Sequence, residues 1–199
     1  MSAHKGFFRQ LIHEFFHQDI NSCLQVSQVK QRIISNVNPD GGLNFTAALV
    51  IMCVIEMMAG FYKGKVFPKE EDVCEFLVKY FSNHEPLFKD KEFSRYFYRV
   101  FRHGLTHEWS PKASGVAMDF YSQVAIGIIK PDKEDLICLN VPAFFNITTK
   151  ALGDYEKDLD NGLYIKEFNK RYNETIKEDY KQMRLLRERF KFLKGKASR

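Results

Sequence analysis

The fold of this chain is decided by residues 43–62, which have the sequence LNFTAALVIMCVIEMMAGFY. Apolar side chains cover almost every face of a helix over this stretch, which is just long enough to cross a bilayer. Asn44, Thr46 and Glu56 interrupt it, and no second hydrophobic span accompanies it. We therefore predict a central core helix contacted on all sides, and no membrane association. An acid inside such a helix needs a partner. Glu56 therefore either forms a buried ion pair with an arginine or has a functional role.

The segments on either side of this stretch also have helical periodicity. The first one, predicted to continue to about Val37, has a broad apolar stripe, formed by Phe7, Phe8, Leu11, Ile12, Phe15 and Phe16. A turn at 38–42 follows it. Downstream we predict a helix from Glu70 to about Phe81, another capped by Asp90, and a third that begins at Pro142.

Residues 116–141 have a different pattern. Short apolar runs at 125–129 and 136–141 flank Lys130-Pro131-Asp132-Lys133, which has the composition of a turn. We predict a small β-hairpin inserted in a helical protein. The fold class is therefore mainly α, a helical bundle with this insertion and a long C-terminal helix.

The C-terminal segment combines an apolar stripe with strong positive charge. Apolar residues recur about four apart from Leu163 to about Leu193, which predicts one long amphipathic helix. Residues 181–199 hold eight basic residues and one acid, a net charge of +7, so residues 1–180 carry −2 of the chain's total of +5. We divide the chain into a helical domain at 1–180 and a basic end at 181–199. That end is either a solvated helix terminus or a contact surface for RNA.

The cysteines and the N-terminus favour a cytoplasmic protein. Cys23, Cys53, Cys74 and Cys138 lie far apart, with neither metal-ligand spacing nor the pattern of a disulfide framework. The N-terminal residues lead into an amphipathic stretch and lack a secretory apolar core.

His13-Glu14-Phe15-Phe16-His17 matches the His-Glu-x-x-His pattern of zinc proteases. On a regular helix the two histidines point away from the apolar stripe, toward solvent or a partner, and no third ligand stands out downstream. A zinc metalloprotein that uses His13 and His17 is our third hypothesis. For the function that we prefer, which follows from the segment described next, we expect no cofactor and no metal.

The segment 101–112, FRHGLTHEWSPK, concentrates the groups that could carry chemistry. It closes an aromatic helix with Arg102, His103 directly after it and His107 five positions after the arginine. Gly104 and Pro111 suggest that the helix ends or loosens here. On a straight helix Arg102 and His107 lie about 140° apart, so they converge only if the helix distorts or a second subunit supplies one of them.

This arrangement resembles the HEPN superfamily, whose mark is an arginine, four to six residues and a histidine, often with Asn, Asp or His after the arginine. The segment 101–107 also looks like one bacterial branch of it. The resemblance covers residues 1–180, of which 101–112 carry the specific motif. It implies a helical, metal-independent endoribonuclease, often dimeric, with toxin, phage-defence or stress roles. RNA, a second copy of the chain and an antitoxin-like protein are the partners it implies.

The side chains fit such chemistry. A near-neutral imidazole at His107 could take or give a proton, and the guanidinium of Arg102 could hold a phosphate with two hydrogen bonds. His103 would orient His107 or share the proton transfer. We expect Glu56 as a supporting acid, and RNA contacts from Arg95, Arg99 and Lys112. The alternatives are a pairing of Arg102 with Glu56 or Glu108 that is only structural, and a non-catalytic HEPN-like module that binds RNA, a nucleotide or a protein.

Overall fold

The computed structural model describes residues 3–33, 43–108, 114–129 and 136–197. Helices make up most of this part, so the predicted mainly α-helical fold is confirmed. Three helices change between α- and π-helical winding without a break. The helices are α1 (Ala3–Phe7, π-helical Phe8–Phe16, His17–Ile33), α2 (Asn44–Lys63), α3 (Glu70–Phe76, π-helical Leu77–Phe81), α4 (Lys91–Phe97, π-helical Tyr98–Glu108), α5 (Val141–Asp160) and α6 (Ile165–Ala197).

Helix α2 is the centre of the fold, as its composition predicted. Ile51, Met52, Ile55 and Met58 have no exposed surface, and helices α1, α3, α4, α5 and α6 all contact it. It is the one helix in the described residues long and apolar enough to cross a membrane, and half of its most apolar window is buried inside the protein. Burial among other helices is what a core helix of a soluble protein shows.

Local sequence signals explain three of the helix ends. The carboxylate of Asp90 accepts hydrogen bonds from the backbone N–H groups of Glu92 (2.8 Å) and Phe93 (3.3 Å), the predicted N-cap of α4. Gly64 ends α2 with φ +63°, a left-handed conformation that favours glycine. Pro142 lies in the first turn of α5, as predicted. Helix α1 is described to Ile33, and the predicted turn at 38–42 lies outside the described residues.

The apolar stripe predicted for α1 is wrong in part. Phe8, Ile12 and Phe16 are buried, but Leu11 and Phe15 are 37% and 53% exposed. The reason is the π-helical winding of this segment, in which hydrogen bonds span five residues, so each residue turns through a smaller angle than in an α-helix. Residues four apart then share the core face, and the residues beside them turn out to solvent.

The inserted sheet has three strands: β1 (Ser114–Ala117), β2 (Ile126–Ile129) and β3 (Leu136–Asn140). Strands β2 and β3 pair antiparallel, with Ile126 opposite Leu139, which confirms the predicted hairpin. The predicted turn at 130–133 lies outside the described residues. Strand β1 was not predicted as a partner; it pairs parallel with β3 on the other side. A parallel pairing joins segments distant in sequence, so no local turn signal marks it.

Helix α6 begins later and ends later than predicted. Gly162 and Tyr164 have left-handed backbones (φ +84° and +57°), so the helix begins at Ile165. Its 33 residues give a length of about 50 Å at the usual rise. The first half packs on the body through the fully buried Phe168, whereas residues 179–191 are all exposed.

Candidate functional site

Arg102 forms an ion pair with Glu56, which joins the π-helical end of α4 to the central helix α2. Arg102 Nε donates to Glu56 Oε2 at 2.5 Å, and the two side chains are 22% and 26% exposed. Burial favours a lower pKa for Arg102, but the hydrogen bond and charge of Glu56 outweigh it and raise that pKa above its usual value. The guanidinium makes no other hydrogen bond within the described part of the chain. Glu56 therefore fixes Arg102 through one nitrogen and leaves its two terminal nitrogens available to a ligand.

A cleft of about 190 Å³ lies beside this ion pair; we call it the motif cleft, lined by Glu56, Tyr98, Arg102, His103 and Thr106. The edge of the His103 ring meets the ring of Tyr98, with 5.5 Å between centroids. Burial, and then the nearby carboxylate of Glu56, raise the pKa of Tyr98 well above its ordinary value. Tyr98 thus stays a neutral hydroxyl at any physiological pH. The cleft brings together Glu56, Arg102 and His103, three of the residues singled out in the sequence.

The π-helical winding of Tyr98–Glu108 changes the relation between Arg102 and His107. Its hydrogen bonds join residues five apart, so the backbone of residue 107 lies one turn beyond that of residue 102, nearly on the same face. The helix distortion that convergence would need is present within one chain. The side chain of His107 and the whole of Lys112 lie outside the described part.

Arg95 and Arg99, the predicted RNA contacts, lie on the outer face of α4 and do not line the motif cleft. Arg99 holds Glu70 with two hydrogen bonds, of 2.7 and 2.8 Å, and Arg95 pairs with Glu70 at 3.5 Å and with Glu92. The hydrogen bond from Arg99 is the main reason that the pKa of Glu70 is lowered. Carboxylates therefore offset much of the positive charge that the sequence suggested for this face.

His13 and His17 are not arranged as a zinc site in the described residues. His13 Nε2 lies 3.1 Å from Glu156 on α5, and His17 Nε2 lies 3.4 Å from the hydroxyl of Thr149. Within the described ranges, no three His, Cys, Asp or Glu side chains are close enough to hold a metal ion. Burial, and then the charge of His13, lower the pKa of His17. Both histidines contact α5, where a regular helical wheel had pointed them away from the body.

A second arginine that sequence analysis missed, Arg171 of α6, lines another cavity that the Glu56–Arg102 pair also lines. We call this space of about 260 Å³ the Arg171 cavity; its lining includes Cys53, Glu56, Met57, Phe67, Arg102 and Arg171. The available signal was position: Arg171 follows Phe168 by three residues on the apolar stripe of α6, where a charged residue is unexpected.

Comparison with known proteins adds no relative: no protein-family model, no curated protein and no solved structure matches this chain. A function must therefore be inferred from the chemistry of the side chains themselves.

Proposed function

We propose that this protein is a metal-independent endoribonuclease of HEPN type, acting in the cytoplasm in a toxin, phage-defence or stress role. The observation that carries the proposal is the position of Arg102: held by Glu56, beside His103, in an open cleft at the helix that carries His107. The resemblance of residues 101–107 to the HEPN motif supports the same assignment. The four free cysteines suit a reducing compartment.

In this mechanism RNA supplies its own nucleophile. His107 takes the proton from a ribose 2′-hydroxyl, whose oxygen attacks the adjacent phosphorus. Arg102 holds the phosphate and balances the charge that develops in the transition state. The bond to the 5′-oxygen breaks, and that oxygen receives a proton, with His103 orienting His107 or sharing the transfer. The products are a 2′,3′-cyclic phosphate and a 5′-hydroxyl, and no metal is required.

The test is cleavage of single-stranded RNA in EDTA by wild-type protein and by His107→Ala. Removing an acid or base group typically lowers the rate by about 10²–10⁴-fold, far outside assay error. His13→Ala is the matched control, because His13 is half-exposed and its only described polar partner is Glu156. Equal cutting by His107→Ala would overturn the assignment. Cleavage by wild-type protein that EDTA abolishes, and that His13→Ala removes in the absence of EDTA, would favour zinc chemistry.

A non-catalytic binding module is the second candidate, and the Glu56–Arg102 pair is the observation that favours it. An arginine engaged by a carboxylate is also what a purely structural ion pair requires. Such a module binds RNA, a nucleotide or a protein such as an antitoxin without cutting RNA. Wild-type protein that binds several RNAs and leaves them whole would select this candidate.

We also propose that the protein works as a homodimer through the exposed half of α6. Met183, Leu186 and Phe190 lie three and then four residues apart there and are 45%, 71% and 56% exposed. Apolar side chains spaced in this way on a solvated helix are typical of a helix–helix interface. Light scattering should report about twice the 23.4 kDa chain mass, and a strictly monomeric protein would contradict it.

The basic residues of the same helix half are our candidate RNA contacts outside the motif cleft. Lys181, Arg184 and Arg187 are exposed, and Arg184 has an acid, Glu188, within 4 Å. Exposed cations along one helix release counterions when they meet RNA phosphates, so removing residues 184–199 should flatten the salt dependence of binding. If the salt dependence of RNA binding is unchanged, these basic residues form only a solvated helix end.

A further inference from the structure

Arg171 is a buried cation that forms no ion pair with a carboxylate among the described residues. Its side chain belongs to a residue only 7% exposed, and no acid in the described part of the chain lies within ion-pair distance. Nη1 donates to the carbonyl oxygen of Met57 at 2.7 Å, and Nε has no hydrogen-bond partner among the described residues. Burial lowers the pKa of Arg171 to about 10. A buried charge with so few partners is costly, and an anion would offset that cost.

Helix α2 fixes the position of this guanidinium through contacts with Phe61 and Gly60. Its central carbon lies 4.6 Å from the centroid of the Phe61 ring, a cation–π contact. A methyl group at Gly60 would fall 1.3 Å from Nη1, so only glycine leaves room for Arg171 at this position. Arg171 is thus held in a defined place, with α2 behind it and the Arg171 cavity beside it.

The cavity presents a second cation and an aromatic ring. Arg102 lines the wall that the cavity shares with the motif cleft, and Glu56 restrains it there. Two guanidinium groups and one carboxylate leave the cavity with a net positive charge. Phe67, also in the lining, is 85% exposed, so its ring has a free face. The volume of about 260 Å³ is at the lower limit of small-molecule sites, which suits a phosphate group better than a whole nucleotide.

We propose that the Arg171 cavity binds a phosphate monoester, whose oxygens lie between Arg171 and Arg102 while the attached nucleoside rests on Phe67. Guanidinium groups match phosphate oxygens in geometry as well as charge, and aromatic rings stack on any base. The group could belong to a free nucleotide or to the end of an RNA chain. This assignment stands on the described side chains alone and does not require that the motif cleft cleave RNA.

Cys53 provides a local readout, because it lines the same cavity and is an exposed residue, whereas Cys23 is half-buried and Cys74 and Cys138 are buried. Alkylation is therefore followed at Cys53 itself by peptide mass. The full-length protein is treated with N-ethylmaleimide in chloride at matched ionic strength, with and without added ligand. The ligands are inorganic phosphate, adenosine 5′-monophosphate, adenosine, and one RNA with either a 5′-phosphate or a 5′-hydroxyl. We expect phosphate and the nucleotide to slow alkylation of Cys53 severalfold, and adenosine to have no effect. Protection by the nucleotide identifies a free ligand, and protection by the phosphorylated RNA alone identifies a chain end.

Variants separate the assignment from a general effect of anions. Arg171→Met should abolish the protection of Cys53 by phosphate. If this variant fails to fold, Arg171→Lys replaces it, because lysine keeps the charge. Arg171→Lys should weaken the protection, because lysine lacks the planar, two-pronged guanidinium. Phe67→Ala should weaken binding of the nucleotide roughly tenfold and leave inorganic phosphate unchanged. Arg9→Met, at a residue 71% exposed on α1, is the matched control. Equal protection in Arg171→Met, or none by any phosphate in the wild type, would overturn the proposal.

Discussion

The motif cleft and the Arg171 cavity share one ion pair, Glu56–Arg102, and they differ in how the chain builds them. Apart from Glu56, the described lining of the cleft comes from a single helical segment, residues 98–106. The cavity takes its lining from α2, the loop before α3, Arg102 of α4 and the distant α6. Arg102 has a carboxylate partner, whereas Arg171 has none in the described part. Arg102 is the arginine common to both linings, and apart from Glu56 the other lining residues differ. Substitutions of residues that line only one of the two should therefore affect that one alone.

Arg102→Ala should have the largest effect, because Arg102 lines both sites. RNA cleavage should fall by about 10²–10³-fold, since the group that neutralises transition-state charge is gone. Protection of Cys53 by phosphate should be lost in the same variant. Cleavage time courses and alkylation rates measure the two effects, and circular dichroism confirms that the variant is folded. Loss of only one activity would show that the two sites do not share Arg102.

Glu56→Gln should destabilise the protein by about 1–3 kcal/mol, because Arg102 then lies partly buried without its charged partner. Urea unfolding measures the change in the free energy of unfolding. Glu71→Gln is the control, because Glu71 is 67% exposed and pairs with Lys91 at 3.7 Å, an arrangement worth well under 1 kcal/mol. An equal decrease in the free energy of unfolding in both variants would mean that the Glu56–Arg102 pair stabilises the fold no more than an exposed ion pair does.

His103→Ala should affect the motif cleft alone. An orienting group matters less than the group that moves the proton, so cleavage should fall by less than about 10²-fold. His103 does not line the Arg171 cavity, so protection of Cys53 by phosphate should be unchanged. A loss of phosphate protection in this variant would erase the distinction between the two sites.

The smallest predicted effect concerns the wall of the Arg171 cavity and depends on pH. The Asp72 carboxylate accepts from Lys65 Nζ at 2.7 Å and from the Lys69 N–H at 2.8 Å, so it ties together the loop that contains Phe67. Burial alone would raise the pKa of Asp72, but these two hydrogen bonds lower it. An acid with a lowered pKa stabilises the fold above its ordinary pKa of about 4, and this contribution is lost as the pH falls through the lowered value.

Asp72→Asn should therefore cost about 1 kcal/mol at pH 7 and less at pH 3. Unfolding curves of wild type and variant across this range measure the difference. A gap between the two proteins that grows on acidification would contradict the direction of the shift.

The sequence was most informative where the relevant signal is local. The apolar run at 43–62 predicted the core helix, and Asp90 and Pro142 predicted helix starts because caps act within one turn. The position of Glu56 in an apolar helix predicted an arginine partner, and Arg102 was named as a candidate for that pairing.

What the sequence missed depends on contacts between distant residues or on unusual winding. The apolar stripe predicted for α1 assumed α-helical geometry throughout, which wrongly placed Leu11 and Phe15 on the buried face. The parallel pairing of β1 with β3 and the meeting of Arg171 with Gly60 join residues that no local pattern connects. The salt bridges of Arg95 and Arg99 were also missed, because Glu70 lies on another helix.

We propose that the groups at residues 102–107 cleave RNA without a metal, and the chemistry of the cut ends tests this most directly. A 5′-labelled single-stranded RNA is incubated with wild-type protein in EDTA, and the ends of the fragments are identified by mass. Attack by a 2′-oxygen predicts a 2′,3′-cyclic phosphate on one fragment and a 5′-hydroxyl on the next. Intact RNA under these conditions, or fragments with 3′-hydroxyl ends that form only when a divalent metal is added, would contradict the claim.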